Sequence, residues 1–474
     1  MKKTTLFIAF VALLNIQVVA QDLLIKNVRI VDPIEANTSE ASDLVIKNGL
    51  IESIEAHDPL RKIEDVKTVE GNGKYLNPGF INSHIHLALG TIEMNVVDGV
   101  PELEIDLSEE LPEITLQLLL ANGITTARDP GGLTEITTEF KEKTLRNEVV
   151  GPELKIAGTI IDITKFKNLV HTVESGEDII NEVQRQKNSG VDYIKLYTGL
   201  DSDLTKTGID HAHQEGLKTI AHLQTTSWTE AAKLGVDNIV HIIPGSADLL
   251  PEEHRAAFLE STKLGSIWFY KWFEYVDFES DEIKEMFRVL KEHEVSVDPT
   301  LILFHSMFFK NDGIYTSNPA LAHLPKNIVA DWEKGIDFTL GWTEADFEAA
   351  KKVWPKVEEF LRLLHEHDIL LTAGTDTNNP WITPGDSFHQ ELLLYKQAGL
   401  SNADILKIAT INGAKLMVID HRTGTIEVGK EADLVLLANN PLDDIAHTSS
   451  IEWVIENGVI HTPKELTKSL KSVN

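Results

Sequence analysis

The 474-residue chain contains no cysteine, so neither a disulfide framework nor a thiolate-ligated metal site is open to it. Basic residues are scarce: 43 lysines and arginines stand against 74 acidic residues, a formal net charge of -31. That balance argues against partners such as nucleic acid or an anionic membrane and favours a soluble enzyme or a partner for cations. Long apolar runs are missing as well. The run 6–14 falls well short of the roughly 20 residues that span a bilayer, and no later run is long enough. It follows Lys2 and Lys3 and leads into Val18, Val19, Ala20 and Gln21, the order of a secretory signal peptide. The expectation is a signal peptide at 1–20, cleavage after Ala20, and a soluble protein exported to the periplasm or secreted. Without disulfides its stability rests on a large core, which a 42% hydrophobic content can supply.

Between residues 22 and 69 the sequence reads as short alternating strands at 23–31, 43–47 and 50–55, with Asn48-Gly49 as a hairpin signal. The same texture returns at 424–426, 432–437 and 452–461, which includes Asn457-Gly458. Two β-rich ends around a different middle predict one small β-sandwich, built from 21–76 and 419–474. Within 77–418, apolar strand-like runs at 79–87, 123–128, 154–158, 192–198, 218–223, 238–242, 295–301 and 369–375 alternate with helical stretches such as 177–189 and 387–398. Eight such units predict an α/β fold, a (β/α)8 TIM barrel, whose catalytic groups stand at the carboxyl ends of the strands.

Chemistry concentrates at those ends. His84 and His86 are two apart, so on a strand they point to one face and can reach one ion. Lys195 closes the fourth apolar run, where an inward lysine is costly unless neutralised or paired. His222, His241 and Asp376 close the fifth, sixth and eighth. Each alone is compatible with a structural role. Their shared position at strand ends is what argues for a site.

These residues are set in longer stretches: Asn77-Pro78-Gly79-Phe80-Ile81-Asn82 before the histidine pair, Gly123-Ile124-Thr125-Thr126-Ala127-Arg128-Asp129, and Gly235-Val236-Asp237-Asn238-Ile239-Val240-His241. Further along come Ala373-Gly374-Thr375-Asp376, His389-Gln390-Glu391-Leu392, and the run from Gly424 through Asp433 to Leu434. Over nearly its whole length after residue 20, the sequence resembles the amidohydrolase superfamily, near its imidazolonepropionase and Xaa-Pro dipeptidase-like branch. The resemblance implies a hydrolase with two divalent ions, zinc being well suited to imidazole and oxygen ligands and manganese or iron the alternatives. It implies His84 and His86 on the more buried ion, His222 and His241 on the more exposed one, and Lys195 bridging them as an N-carboxylated lysine. Asp376 would ligate the buried ion and act as acid and base. Tyr197, two residues past Lys195, faces the same way as a catalytic or substrate contact, or packs.

The implied reaction is cleavage of a C–N bond, amide or peptide-like, in a small molecule. A deaminase or lactonase on the same scaffold is the alternative, with Lys195 weighing against a one-ion deaminase. A non-catalytic binding protein would be expected to have lost ligands that are all present here. The chain lacks the Gly-Gly-His type loop of related peptidases after Gly158, near His171, which weakens any transfer of their specificity to it. His211 and His213 are expected to be solvated, His389 and Glu391 structural, and the cluster Trp268, Phe269, Tyr270, Trp272 and Phe273 core or subunit contact. The segment 304–342 is read as a lid, and homo-oligomerisation is left open.

Overall fold

The computed structural model describes residues 21–97, 100–262, 266–334 and 337–470, so the expected signal peptide lies outside the described residues. No described helix is long and apolar enough to cross a membrane.

Both chain ends contribute to one sheet. Its main path runs Val459–His461, Ile451–Glu456, Leu434–Leu437, Lys67–Pro78, Leu23–Asp32, Ser42–Lys47 and Leu50–Ala56. Leu434–Leu437 lies antiparallel to Lys67–Pro78, with Leu436 opposite Leu76. Asn48 and Gly49 both take positive φ, 51° and 77°, as a two-residue hairpin turn of the expected type requires. Leu23, Ile25, Leu44, Ile46, Leu76 and Leu434 are buried together beneath this sheet.

The middle of the chain is a succession of parallel strands and helices. Phe80–Asn82, Ile124–Asp129 and Glu153–Ile156 are neighbours. Tyr193–Leu196, Lys218–Ala221, Asn238–Val240 and Ser296–Asp298 continue in order, also parallel. The two groups meet where Asp192 N donates to Ile156 O at 2.8 Å. The helix Gly176–Ser189 shows how the intervening elements are fixed. Ser175 caps it by accepting from Asp178 N, Gly190 ends it at φ 90°, and Ile179 and Val183 face inward.

The strands are shorter than their apolar runs suggest. The run 369–375 makes an isolated bridge from Leu371 to Val297, and Ala373 O accepts from Ser83 N at 2.8 Å. The cause lies in the strand ends, where His241 and Asp376 adopt left-handed φ of 71° and 59° and turn the chain out of the ladder. Two features were not legible in the sequence. Thr91–Val97 and Val100–Asp106 form an antiparallel hairpin that Phe166–Lys167 extends. The helix Pro463–Leu470, within the stretch assigned to the C-terminal sandwich, instead packs on Leu111–Ala121 and adds Leu466 and Leu470 to the main core.

Candidate functional site

Every sequence-predicted site residue ends near one point. His84, His86, Lys195, Tyr197, His241 and Asp376 line one small cavity. His222 stands beside them, its ring centroid 4.3 Å from His241 and 4.9 Å from Tyr197. Asp376 is the centre of the group: its Oδ1 is 3.3 Å from His84 Nε2 and 2.8 Å from His86 Nε2, and its Oδ2 is 3.9 Å from His241 Nδ1.

The imidazoles are oriented from behind. His86 Nδ1 donates to Gly131 O at 2.6 Å, which fixes the ring with Nε2 facing Asp376. His241 Nδ1 meets Thr300 Oγ1 at 2.8 Å. His84 Nδ1 lies 3.5 Å from Asp298 Oδ2. Asp298 accepts from Ser83 Oγ at 3.0 Å and stands 3.5 Å from Arg128 Nη2, all of them fully buried. Gly374 makes this packing possible, because a Cβ there would sit 2.4 Å from Asp298 Oδ1 and 2.5 Å from His84 Cβ. Thr300, His241 and Asp376 all hold left-handed φ, strain of order ~1 kcal/mol or more per residue that the surrounding bonds sustain.

Burial sets the charge states. It pushes Lys195 down to about 7, so a substantial fraction of its amine is neutral near neutral pH. It pushes His222 down to about 3 and His241 well below its ordinary value, keeping both rings neutral. It drives the Tyr197 phenol far up, so that hydroxyl stays protonated. For Asp376 burial acts upward, but His84 and His86 outweigh it and hold the carboxylate well below its usual range.

Buried ring nitrogens should find hydrogen-bond partners. Yet neither nitrogen of His222 has one, nor has His84 Nδ1. His84, His241 and Asp376 place ligand atoms within 4.8 Å of one another, close enough to hold a metal ion. Lone pairs left over in a buried cluster, beside an ionised carboxylate, suit a divalent cation.

Other residues sort differently. The aromatic cluster is buried as expected, but Trp268 also backs the site, 6.3 Å from His222 between centroids. Phe338, from the segment expected to form a lid, reaches the cavity wall. His213 is exposed and 2.9 Å from Asp237. His389 is buried between Thr448 and Asn122 O, and Glu391 accepts from Leu301 N and Ile302 N at 2.8 and 2.5 Å. Sequence reasoning missed Asp298, Arg128, Asp129 and Thr300. The available signal was charge inside apolar strands, as in Val297-Asp298 and Ala127-Arg128-Asp129.

The model of the amidohydrolase family matches residues 75–461. The chain belongs to this family, and it is a hydrolase acting on carbon–nitrogen bonds. It is 20% identical over 451 residues to a 5'-deoxyadenosine deaminase of Methanobrevibacter smithii, covering 90% of this chain and 86% of that one. A more local likeness, 38% over 80 residues, is to a 5-methylthioadenosine/S-adenosylhomocysteine deaminase of Thermoanaerobacter pseudethanolicus. There the match takes in 14% of this chain and only 19% of the relative. Among solved structures, an Xaa-Pro dipeptidase with bound methionine is similar with a TM-score of 0.67 at 18% identity, over 93% of this chain and all of that one.

Proposed function

We propose that this chain is a binuclear metal-dependent amidohydrolase that cleaves an amide or peptide-like bond in a small molecule. The reading includes a (β/α)8 barrel for the parallel strands and a β-sandwich for the sheet of the two chain ends. The observation that carries the function is the buried cluster of His84, His86 and His241 around Asp376, with His222 beside it lacking a hydrogen-bond partner on either nitrogen.

In this reading His84, His86, His222, His241, Asp376 and an N-carboxylated Lys195 hold two divalent ions, zinc being the best match to their donors. Two such ions, when bound, acidify a water and polarise the carbonyl to be attacked. The rest is the work of the protein's own groups. Asp376 takes the proton of the attacking water and returns it to the departing nitrogen, general base and then general acid. Tyr197, kept as a neutral phenol, donates its hydroxyl hydrogen toward the carbonyl oxygen. Lys195 contributes through its neutral fraction: its nitrogen bonds to the carbon of carbon dioxide and loses a proton, leaving an anionic carbamate with two donor oxygens.

Metal analysis of the purified protein tests the reading, with close to two divalent ions per chain as the expected result. One tightly held ion, unaffected by replacing His222 and His241, would overturn it in favour of a mononuclear site. A second reading, deamination, draws on the relative that matches over most of both chains. Release of ammonia from 5'-deoxyadenosine, with no turnover of amides, would select it. Export is proposed from 2–21 alone and is checked by N-terminal sequencing of protein recovered outside the cytoplasm, expected to begin at Gln21.

A further inference from the structure

We propose that the substrate of this site is an uncharged amide bearing an apolar acyl group, and that peptides carrying a free carboxylate are poor substrates. The inference rests on the hydrolase reading above and deepens it.

The walls of the cavity are its basis. Beyond His86, Lys195 and Asp376 the cavity is bounded by Leu89, Ile92, Ile105, Ile160, Phe166 and Leu169. Ile92 and Ile105 come from the hairpin of Thr91–Val97 and Val100–Asp106, and Phe166 from the short strand that extends it. Five of the six form a hydrophobic cluster apart from the main core, with Ile92 packed against it. A second small space shares His86, Leu89, Ile105 and Leu169 with the first and is lined further by Leu107, Leu133 and Ile136. An apolar wall common to the two spaces therefore lies beside the reactive groups.

Nothing along it is placed to receive a carboxylate. Among the described residues, neither lining contains an arginine, nor any lysine besides Lys195. Apart from Tyr197 and the residues assigned to the metal site, Asp129, Asn168 and Asn379 of these linings are engaged elsewhere. Asp129 accepts from Gly131 N and Leu87 N, both at 3.0 Å. Asn168 Nδ2 donates to Ile105 O at 2.8 Å, and Asn379 Nδ2 to Asp376 O at 3.0 Å. The neighbouring basic side chains also have partners outside the cavity, Lys167 with Glu104 and His171 with Glu182. A charged group drawn into such a space loses its hydration without gaining a partner, whereas an acyl chain gains with every methylene it buries.

The test compares the para-nitroanilides of acetic, butyric and hexanoic acid with leucyl-proline and methionyl-proline, using the zinc-loaded protein. The anilides are expected to exceed the dipeptides in kcat/KM by at least about 10²-fold, with a gain of roughly fourfold per added methylene. Dipeptide turnover equal to or above that of the hexanoyl anilide would overturn the proposal. If neither class is hydrolysed, the hydrolase reading fails, and calorimetric binding decides this inference separately. Hexananilide binding at least tenfold tighter than leucyl-proline supports it, and equal or weaker binding overturns it. Phe166→Arg, checked for folding by its thermal transition, should reverse the preference by bringing a cation to the wall. Phe166→Ala offers the gentler measure, lowering hexanoyl over acetyl selectivity about tenfold. Unchanged selectivity in a folded Phe166→Ala protein would mean that the acyl group lies elsewhere.

Discussion

At the amino ends of the parallel strands, Arg422 grips Glu153 at 2.6 and 2.7 Å and reaches Glu431 at 2.6 Å, while Lys141 meets Asp192 at 2.8 Å. At the carboxyl ends, His222 has no hydrogen-bond partner on either nitrogen and Asp376 is ringed by the imidazoles of His84, His86 and His241. Both places gather charged groups in a cleft, and the amino-end cleft is the roomier of the two. Density of charge therefore does not mark the site. Unused coordinating capacity does: one end has matched its charges internally, the other has kept lone pairs in reserve and holds strained backbone at His241, Thr300 and Asp376 to do so.

The comparison breaks most sharply at Asp376. Asp376→Asn keeps an oxygen and nearly the same volume but removes the basicity, so turnover should fall by at least ~10²- to 10⁴-fold while metal content falls much less. Steady-state kinetics with metal analysis on the same sample checks both halves. A variant within a few-fold of the native rate would assign proton transfer to another group. Lys195→Ala comes next: it should lose one ion and most activity, and short carboxylic acids added to the assay should restore part of both by supplying the missing oxygens. Full metal content with normal turnover would dismiss the carbamate.

Much of this site was legible because its residues interrupt apolar runs. His222 directly follows buried Ile220-Ala221 and His241 buried Ile239-Val240, and that contrast survives in one dimension. Asp298 and Arg128 interrupt such runs equally, yet their role depends on who stands behind whom. Arg128 reaches Ser83 O across 45 residues and Asp298 reaches Ser83 across 215, a proximity that periodicity does not carry. The hairpin at Thr91–Val97 and Val100–Asp106 was hidden for another reason: its acidic, loosely alternating sequence resembles a connecting loop until it is seen against Phe166. Strand lengths were overread where left-handed residues end the ladder, since propensity does not register a single reversed φ.

At the paired end the expected effects are on stability rather than rate. Arg422→Met removes the partner of Glu153, whose carboxyl is mostly buried and held below its ordinary range against that burial by Arg422 and Lys155. Leaving that carboxylate with Lys155 alone should cost about 1.5–3 kcal/mol, the range for hydrogen bonds to charged groups. Denaturant unfolding should register the loss while turnover stays within about twofold of native. A large fall in turnover without a change in stability would give this cleft a part in the reaction and dissolve the contrast drawn between the two ends.

The smallest effect is expected at Asp433, on the border of the same cleft. Burial pushes its carboxyl up to about 7, and Glu431 and Glu153 push the same way. The native state therefore holds this proton up to about 7, whereas the unfolded chain releases it near the ordinary carboxylate value of about 4. Between those limits the folded form binds more protons than the unfolded form, so this group makes stability fall as pH rises. Its contribution is undiminished below about pH 4 and reaches its full cost above about pH 7. Asn at this position cannot ionise and escapes that slope. The stability of Asp433→Asn relative to native should thus improve by about 1 kcal/mol or more between about pH 5 and pH 8. Thermal unfolding at a series of pH values, with both proteins measured in the same buffers, reads the difference directly. A difference that stays flat would mean Asp433 is ionised throughout, stabilised by Arg422 as fully as Glu153 is, and the paired end would then have no unmatched charge at this position.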